Sequence, residues 1–281
     1  NGSTTHTYAF QSGARGPYIE VPTGETVTPN GGTTEAHFGK LKVSGGAFTA
    51  PTGVMQIGND YYYSYTDGFV VSSGTFTHNN GTVEFMGSFS SSNNDRYTVI
   101  DAPPGGLHLY DVVMNVRDTS TLYNHGYVEI SAGDTVIVNH DLTLKNGRFD
   151  GGTIDLYGSL FVQCAGGNAT TSDVCADGGT VAVRFVGTGT QTVTQASGGL
   201  PPQGVWTVNK SGGSVLLGSA LGLSGANQDL TITSGTVDMA GYNLTVARNI
   251  SNSGTLKRGN SPTCGTVSQG GTYSGAAAIC P

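Results

Sequence analysis

Charge is what this chain has least of. Lys, Arg, Asp and Glu together make up 11% of its 281 residues, against ~25% in an average soluble protein. Twelve cations against nineteen anions leave a formal net charge of −7. That excludes the basic stripe on which charge-driven nucleic-acid binding depends, so no nucleic-acid partner is expected. It also removes the charged residues that long helices and coiled coils need. No apolar run approaches the ~18 residues of a membrane-spanning helix. Ten prolines fall in no fixed period, which rules out a collagen-like chain. There is no initiator Met at Asn1 and no leader-like segment behind it, so a mature, processed or trimmed chain is expected.

Metal-binding spacings are missing as well. The four cysteines stand at 164, 175, 264 and 280. They form no CxxC and have no His beside them in sequence, so neither a zinc nor a haem pattern is present. The six histidines, at 6, 37, 78, 108, 125 and 140, include no HxxxH on a helix. No metal and no cofactor is expected. The simplest pairing of the cysteines is Cys164–Cys175 and Cys264–Cys280, two local staples, although four cysteines allow three pairings. An even count in so uncharged a chain points to an oxidising, extracellular or cell-surface setting.

What is abundant is glycine and short apolar runs. The chain has 45 Gly, 13 Tyr and 10 Phe, and 36% of it is hydrophobic. That is enough to build a core and to exclude general disorder. Gly, Asn and Ser punctuate brief Val-, Thr- and Tyr-rich runs, which reads as all-β.

One eight-residue pattern recurs: apolar, any, apolar, two small or polar residues, Gly, any, then apolar or Thr. It appears as Ile19-Glu-Val-Pro-Thr-Gly24-Glu-Thr26, Leu41-Lys-Val-Ser-Gly-Gly46-Ala-Phe48 and Phe69-Val-Val-Ser-Ser-Gly74-Thr-Phe76. It returns as Val128-Glu-Ile-Ser-Ala-Gly133-Asp-Thr135, Leu142-Thr-Leu-Lys-Asn-Gly147-Arg-Phe149 and Leu230-Thr-Ile-Thr-Ser-Gly235-Thr-Val237, with a shorter variant from Ile250 to Leu256. Residues i and i+2 of a strand share a face, so the first and third positions enter one core. The glycine permits a positive φ or a close backbone approach at the bend. The last position points inward again. Strand, corner and strand make part of one turn of a coil, and stacked coils give a continuous core.

The expected fold is therefore a right-handed parallel β-helix, or β-solenoid, with irregular coils of ~20–25 residues and loop insertions. It spans 1–281 as one elongated unit, with a possible subdivision into 1–163 and 178–281 around the Cys164–Cys175 loop. The alternative is two antiparallel β-sandwich domains, supported by hairpin signals such as Asn80-Gly81.

Trp206-Thr-Val-Asn-Lys-Ser-Gly-Gly-Ser-Val215, Asp229 to Asp238, Gly241-Tyr-Asn-Leu-Thr-Val-Ala-Arg-Asn249 and the block Gly74 to Phe85 resemble repeats of bacterial cell-surface, adhesin-type β-helix proteins, including filamentous-haemagglutinin-like ones. The resemblance is carried by residues 69–88 and 128–259. It implies export and a structural or adhesive role rather than catalysis.

Several clusters invite a functional reading. Tyr61-Tyr62-Tyr63 with Tyr65 is the densest aromatic group. Consecutive residues of a strand alternate faces, so these rings cannot all enter one core, and an interface or ligand-contact role is expected for them. Asn59, Asp60 and Asp67 frame the same loop and supply oxygen donors of the kind calcium uses, without an EF-hand pattern. Asp150 and Asp155, with Lys145 and Arg148 nearby, are the candidate carboxylate pair for polysaccharide chemistry. Thr188-Gly-Thr-Gln-Thr-Val-Thr194 puts alternate Thr on one face, but a water-ordering surface needs such a ladder on many coils. No catalytic residue is assigned. The first functional expectation is a non-enzymatic extracellular structural subunit that self-assembles head to tail into a filament or matrix fibre. The second is an adhesin module binding a surface glycan, and the third a polysaccharide-active enzyme.

Overall fold

The computed structural model describes residues 4–8, 17–30, 33–58, 68–89, 97–118, 127–165 and 175–281. Among them there is no helix. The architecture is all-β. The ladders joining its strands are parallel, apart from one short antiparallel pair, Gly259–Asn260 with Thr263–Cys264.

Parallel strands need a crossover between them, and here the crossover is the rest of a coil. One sheet takes Thr4–Tyr8, Glu25–Pro29, Lys40–Thr49, Phe69–Thr77, Tyr97–Asp101, Tyr127–Ile130 and Arg148–Asp150 in chain order, with Tyr18–Pro22 also on Lys40–Thr49. A second sheet of 16 strands has two columns. The column through Thr82–Phe89, Asp111–Asp118 and Leu142–Asn146 and the column through Thr135–Val138, Thr153–Leu156 and Ala182–Phe185 meet on the 12-residue strand Trp206–Leu217. A third, small sheet stacks Leu221–Leu223, Leu244–Val246 and Val267–Gln269. The step between paired residues is irregular, from Thr135 against Thr153 to Leu160 against Val193. The coils are irregular, as the uneven spacing of the sequence repeats leads one to expect, and the step ranges beyond the expected ~20–25 residues because insertions differ from turn to turn.

The repeated octapeptides explain the core. Ile19, Leu41 and Phe69 stand in one column, and Val21, Val43 and Val71 in the next. Leu230 stacks on Trp206 and beneath Ile250, and Val237 pairs with Leu256. Buried apolar side chains from Val21 to Leu256 form one cluster. Fully burying each Leu, Ile or Phe contributes about 1.5–3 kcal/mol. Trp206 is buried against Phe185 at 5.3 Å between ring centroids, and its indole N–H donates to the Pro202 carbonyl at 2.7 Å.

Two corners show why the motif needs glycine. Gly235 has φ +85°, and a Cβ there would lie 2.8 Å from Lys210 Cβ. In the copy ending at Phe48, the neighbour Gly45 takes the positive φ, +124°, whereas the motif's Gly46 would drive a Cβ to 2.5 Å from the Pro22 carbonyl. One glycine serves conformation and the other close approach.

The hairpin signal at Asn80-Gly81 resolves differently. Asn79 and Asn80 do adopt positive φ, 52° and 55°. The flanking strands, however, pair with other coils and lie in different sheets, so the turn is a coil corner. The Cys164–Cys175 region is likewise bridged: Thr153–Leu156 pairs with Ala182–Phe185, and Leu160–Val162 with Gln191–Gln195.

Candidate functional site

Coil stacking brings distant polar residues into register, and three groupings result. The first is a corner ladder. Asp111 Oδ1 accepts the Asp141 N–H at 3.0 Å, Asp141 Oδ1 accepts the Ser159 N–H at 2.7 Å, and Ser159 Oγ accepts the Thr192 N–H at 3.1 Å. Each side chain thereby satisfies a backbone donor one coil onward, which a buried or half-buried turn requires. Asp229, Asn249 and Thr272 repeat the device further along.

Beside the first ladder stands a column of rings. His78 stacks on Tyr110 at 5.6 Å, and Tyr110 on His140 at 4.9 Å with 4° between planes. His140 Nδ1 lies 2.6 Å from Asp111 Oδ1 and 3.8 Å from Asp141 Oδ2. The hydrogen bond to Asp111 raises the His140 pKa above the usual imidazole value. His78 goes the other way. Burial lowers its pKa, and the nearby His108 adds to the effect. The His78 Nδ1 accepts the Asn80 N–H at 3.0 Å, which the neutral ring alone can do. Asp111, His140 and Asp141 each offer a ligand atom, all within 4.8 Å of one another. Sequence inspection missed this group because Asp111 and His140 are a whole coil apart.

The second grouping is buried. Lys210 points inward at the corner of Trp206–Leu217, where its ammonium donates to Gln191 Oε1 at 2.5 Å and to the Val186 carbonyl at 3.3 Å. The Gln191 amide donates in turn to the Leu156 and Gly158 carbonyls at 2.6 and 2.8 Å. Burial lowers the Lys210 pKa. A related polar line runs across four coils: the Gln56 and Asn115 amides donate to the Glu84 carboxylate at 3.0 and 2.8 Å, and the Asn146 amide donates to Asn115 Oδ1 at 2.6 Å.

The third is the final coil. Among the described residues, its strands Val267–Gln269 and Tyr273–Gly275 each pair on one side only, with Leu244–Val246 and Ile250–Asn252. Val267, Tyr273 and Ala278 touch the core but are only partly buried, and Ile279 is 47% exposed. Cys264 is bonded to Cys280, and Ile279 bridges back to Lys257. At the other end Thr4–Tyr8, Tyr18–Pro22 and Glu35–Phe38 also pair on one side only, among the described residues.

The residues singled out from sequence fare unevenly. Tyr61, Tyr62, Tyr63 and Tyr65, with Asn59, Asp60 and Asp67, lie outside the described residues. Both cysteine pairs form disulfides, Cys164–Cys175 and Cys264–Cys280. Asp150 and Asp155 fall on different sheets, and each has its own arginine. Asp150 accepts Arg148 Nε at 2.8 Å, and Asp155 takes Arg184 in a two-pronged contact at 2.5 and 2.6 Å. The Thr face of 188–194 does not continue, since Thr192 pairs with Leu216 and Thr194 with Phe161. Among the other histidines, His37 is buried on the Gly58 carbonyl and His6 meets Glu25. No helix among the described residues is long and apolar enough to cross a membrane. No family model matches the chain, and neither a curated protein nor a solved structure does.

Proposed function

We propose that the chain is a non-enzymatic structural element of an extracellular surface or matrix, a β-solenoid that extends by stacking end to end. The observation that supports this best is the final coil. Its inward side chains Val267, Tyr273 and Ala278 remain half-covered, Ile279 is exposed, and its strands present edges unpaired among the described residues. Such an edge is a template for another strand. The matching surface is the opposite end of a second copy, where Thr4–Tyr8, Tyr18–Pro22 and Glu35–Phe38 are also edges and Tyr18 is 54% exposed. Parallel strands stacked on parallel strands continue the same ladder, and a heterologous contact that does not close builds a fibre. Two disulfides suit an oxidising compartment, and the resemblance to cell-surface adhesin repeats points the same way.

Electron microscopy across a concentration series, with and without reductant, tests this reading. Regular fibres are expected from the parent chain. Ile279→Asp, a change at an exposed site, is expected to abolish them while circular dichroism stays that of the parent. Discrete rods from the parent at high concentration overturn the proposal and move the adhesin reading, with its glycan ligand, to first place.

A further inference from the structure

We propose that Asp111, His140 and Asp141 form a binding site for a divalent transition-metal ion of the Zn²⁺ type, one that ties two successive coils together. Four acids of this stack have a lysine or arginine of their own close by. Asp150 faces Arg148, Asp155 faces Arg184, Asp229 faces Arg248 and Asp238 faces Lys257. Asp111 and Asp141 differ. Among the described residues their one ion-pair partner is His140, which they share. Two carboxylates around one imidazole carry excess negative charge whether the ring is protonated or not. A cation placed between them removes that repulsion.

The donor geometry suits a small ion. The three ligand atoms lie within 4.8 Å of one another; bonds of ~2.0–2.2 Å to nitrogen and oxygen span at most about 4.4 Å across one ion, so binding draws the half-exposed carboxylates slightly inward. The proton between His140 Nδ1 and Asp111 Oδ1 sits where the ion would bind, and the ion replaces it. Each carboxylate is oriented by a backbone N–H on one oxygen, with Asp141 Oδ2 left facing the ring. Tyr110, parallel to the imidazole at 4.9 Å, fixes its plane. One imidazole and two carboxylates favour Zn²⁺, Co²⁺ or Mn²⁺ over Ca²⁺, which prefers six to eight oxygens. The half-exposed setting leaves water to complete the coordination.

The test uses the full chain, stripped with chelator and titrated calorimetrically with Zn²⁺, with NMR of the histidine rings as a second readout. One equivalent is expected to bind, to shift the His140 ring signals and to raise Tm. The double substitution Asp111→Asn and Asp141→Asn keeps the oxygens that accept the Asp141 and Ser159 N–H groups, so the corner survives. It is expected to weaken binding at least about tenfold, since even changes to groups that only orient the ligands cost that much, and to remove the Tm increase. His140→Gln is expected to do the same. No saturable binding by the parent overturns the proposal. So does binding that persists unchanged in the double variant, which would locate the ion at another histidine.

Discussion

Lys210 and His78 are buried or half-buried basic groups whose partners are neutral, and both have physical consequences. The Lys210 ammonium is held by Gln191 Oε1 and the Val186 carbonyl, with no ion-pair partner among the described residues. Lys210→Met removes the desolvated amine but strands Gln191 Oε1 in a fully buried position. An orphaned acceptor costs about 1–3 kcal/mol, so the variant is expected to lose stability by that amount in urea unfolding. For His78 the sign follows from its lowered pKa. As pH falls through the ordinary value near 6.5, the unfolded ring takes a proton before the folded one does. Stability is then lost until pH drops below the depressed value. Thermal unfolding of the parent and of His78→Gln, compared from about pH 8 to pH 5, is expected to show the parent losing more Tm on acidification. A parallel pair of profiles would remove His78 as the cause. At this scale the sequence was only partly legible. It identified the histidines one by one, but the coil that sets His140 beside Asp111 is a tertiary fact with no local signature.

At the scale of the element, the octapeptide was the legible feature. Alternating apolar positions followed by Gly dictate a bend with both flanks facing inward, and Leu230, Ile232 and Val237 are buried accordingly. The pattern does not say which neighbours the flanks meet. In the copy at Ile19–Thr26 both flanks pair with Lys40–Thr49. In the copy at Val128–Thr135 the first flank joins one sheet and the second flank another. The same local code serves two corners because the insertions between copies set the register. A bend of this kind is sensitive to a single methyl group. Gly235→Ala faces a positive φ and a 2.8 Å approach to Lys210 Cβ, so a loss of about 1–3 kcal/mol is expected. Gly189 offers a control, since a Cβ there meets nothing within 4 Å. Gly189→Ala is expected to be neutral or slightly stabilising. Equal losses from both variants in denaturant titrations would refute the corner argument.

For the whole molecule, composition signalled an all-β chain, and the repeats signalled that its strands would run parallel. Low charge and many glycines suit coils stacked at close range, where an ionised side chain facing inward needs a partner of the kind Gln191 gives Lys210. The lengths of individual coils were not legible, since a turn closes wherever its strand meets the ladder below. Thr135 meets Thr153 after one short turn, whereas Leu160 waits until Val193. The same irregularity spreads the polar ladders unevenly over the surface, so that the ring column of His78, Tyr110 and His140 has no counterpart on the later coils among the described residues.

The bond between Cys264 and Cys280 also decides how the stack answers a pull. Tension arriving at Cys280 passes through the sulfurs to Cys264 and bypasses the residues between them, Val267–Gln269 and Tyr273–Gly275 included. Those strands are spared direct peeling, and the load enters at the short ladder of Thr263–Cys264 on Gly259–Asn260. Cut the sulfur bridge and the last turn becomes the first to unzip. The oxidation state of one cystine thereby sets the point at which mechanical failure begins.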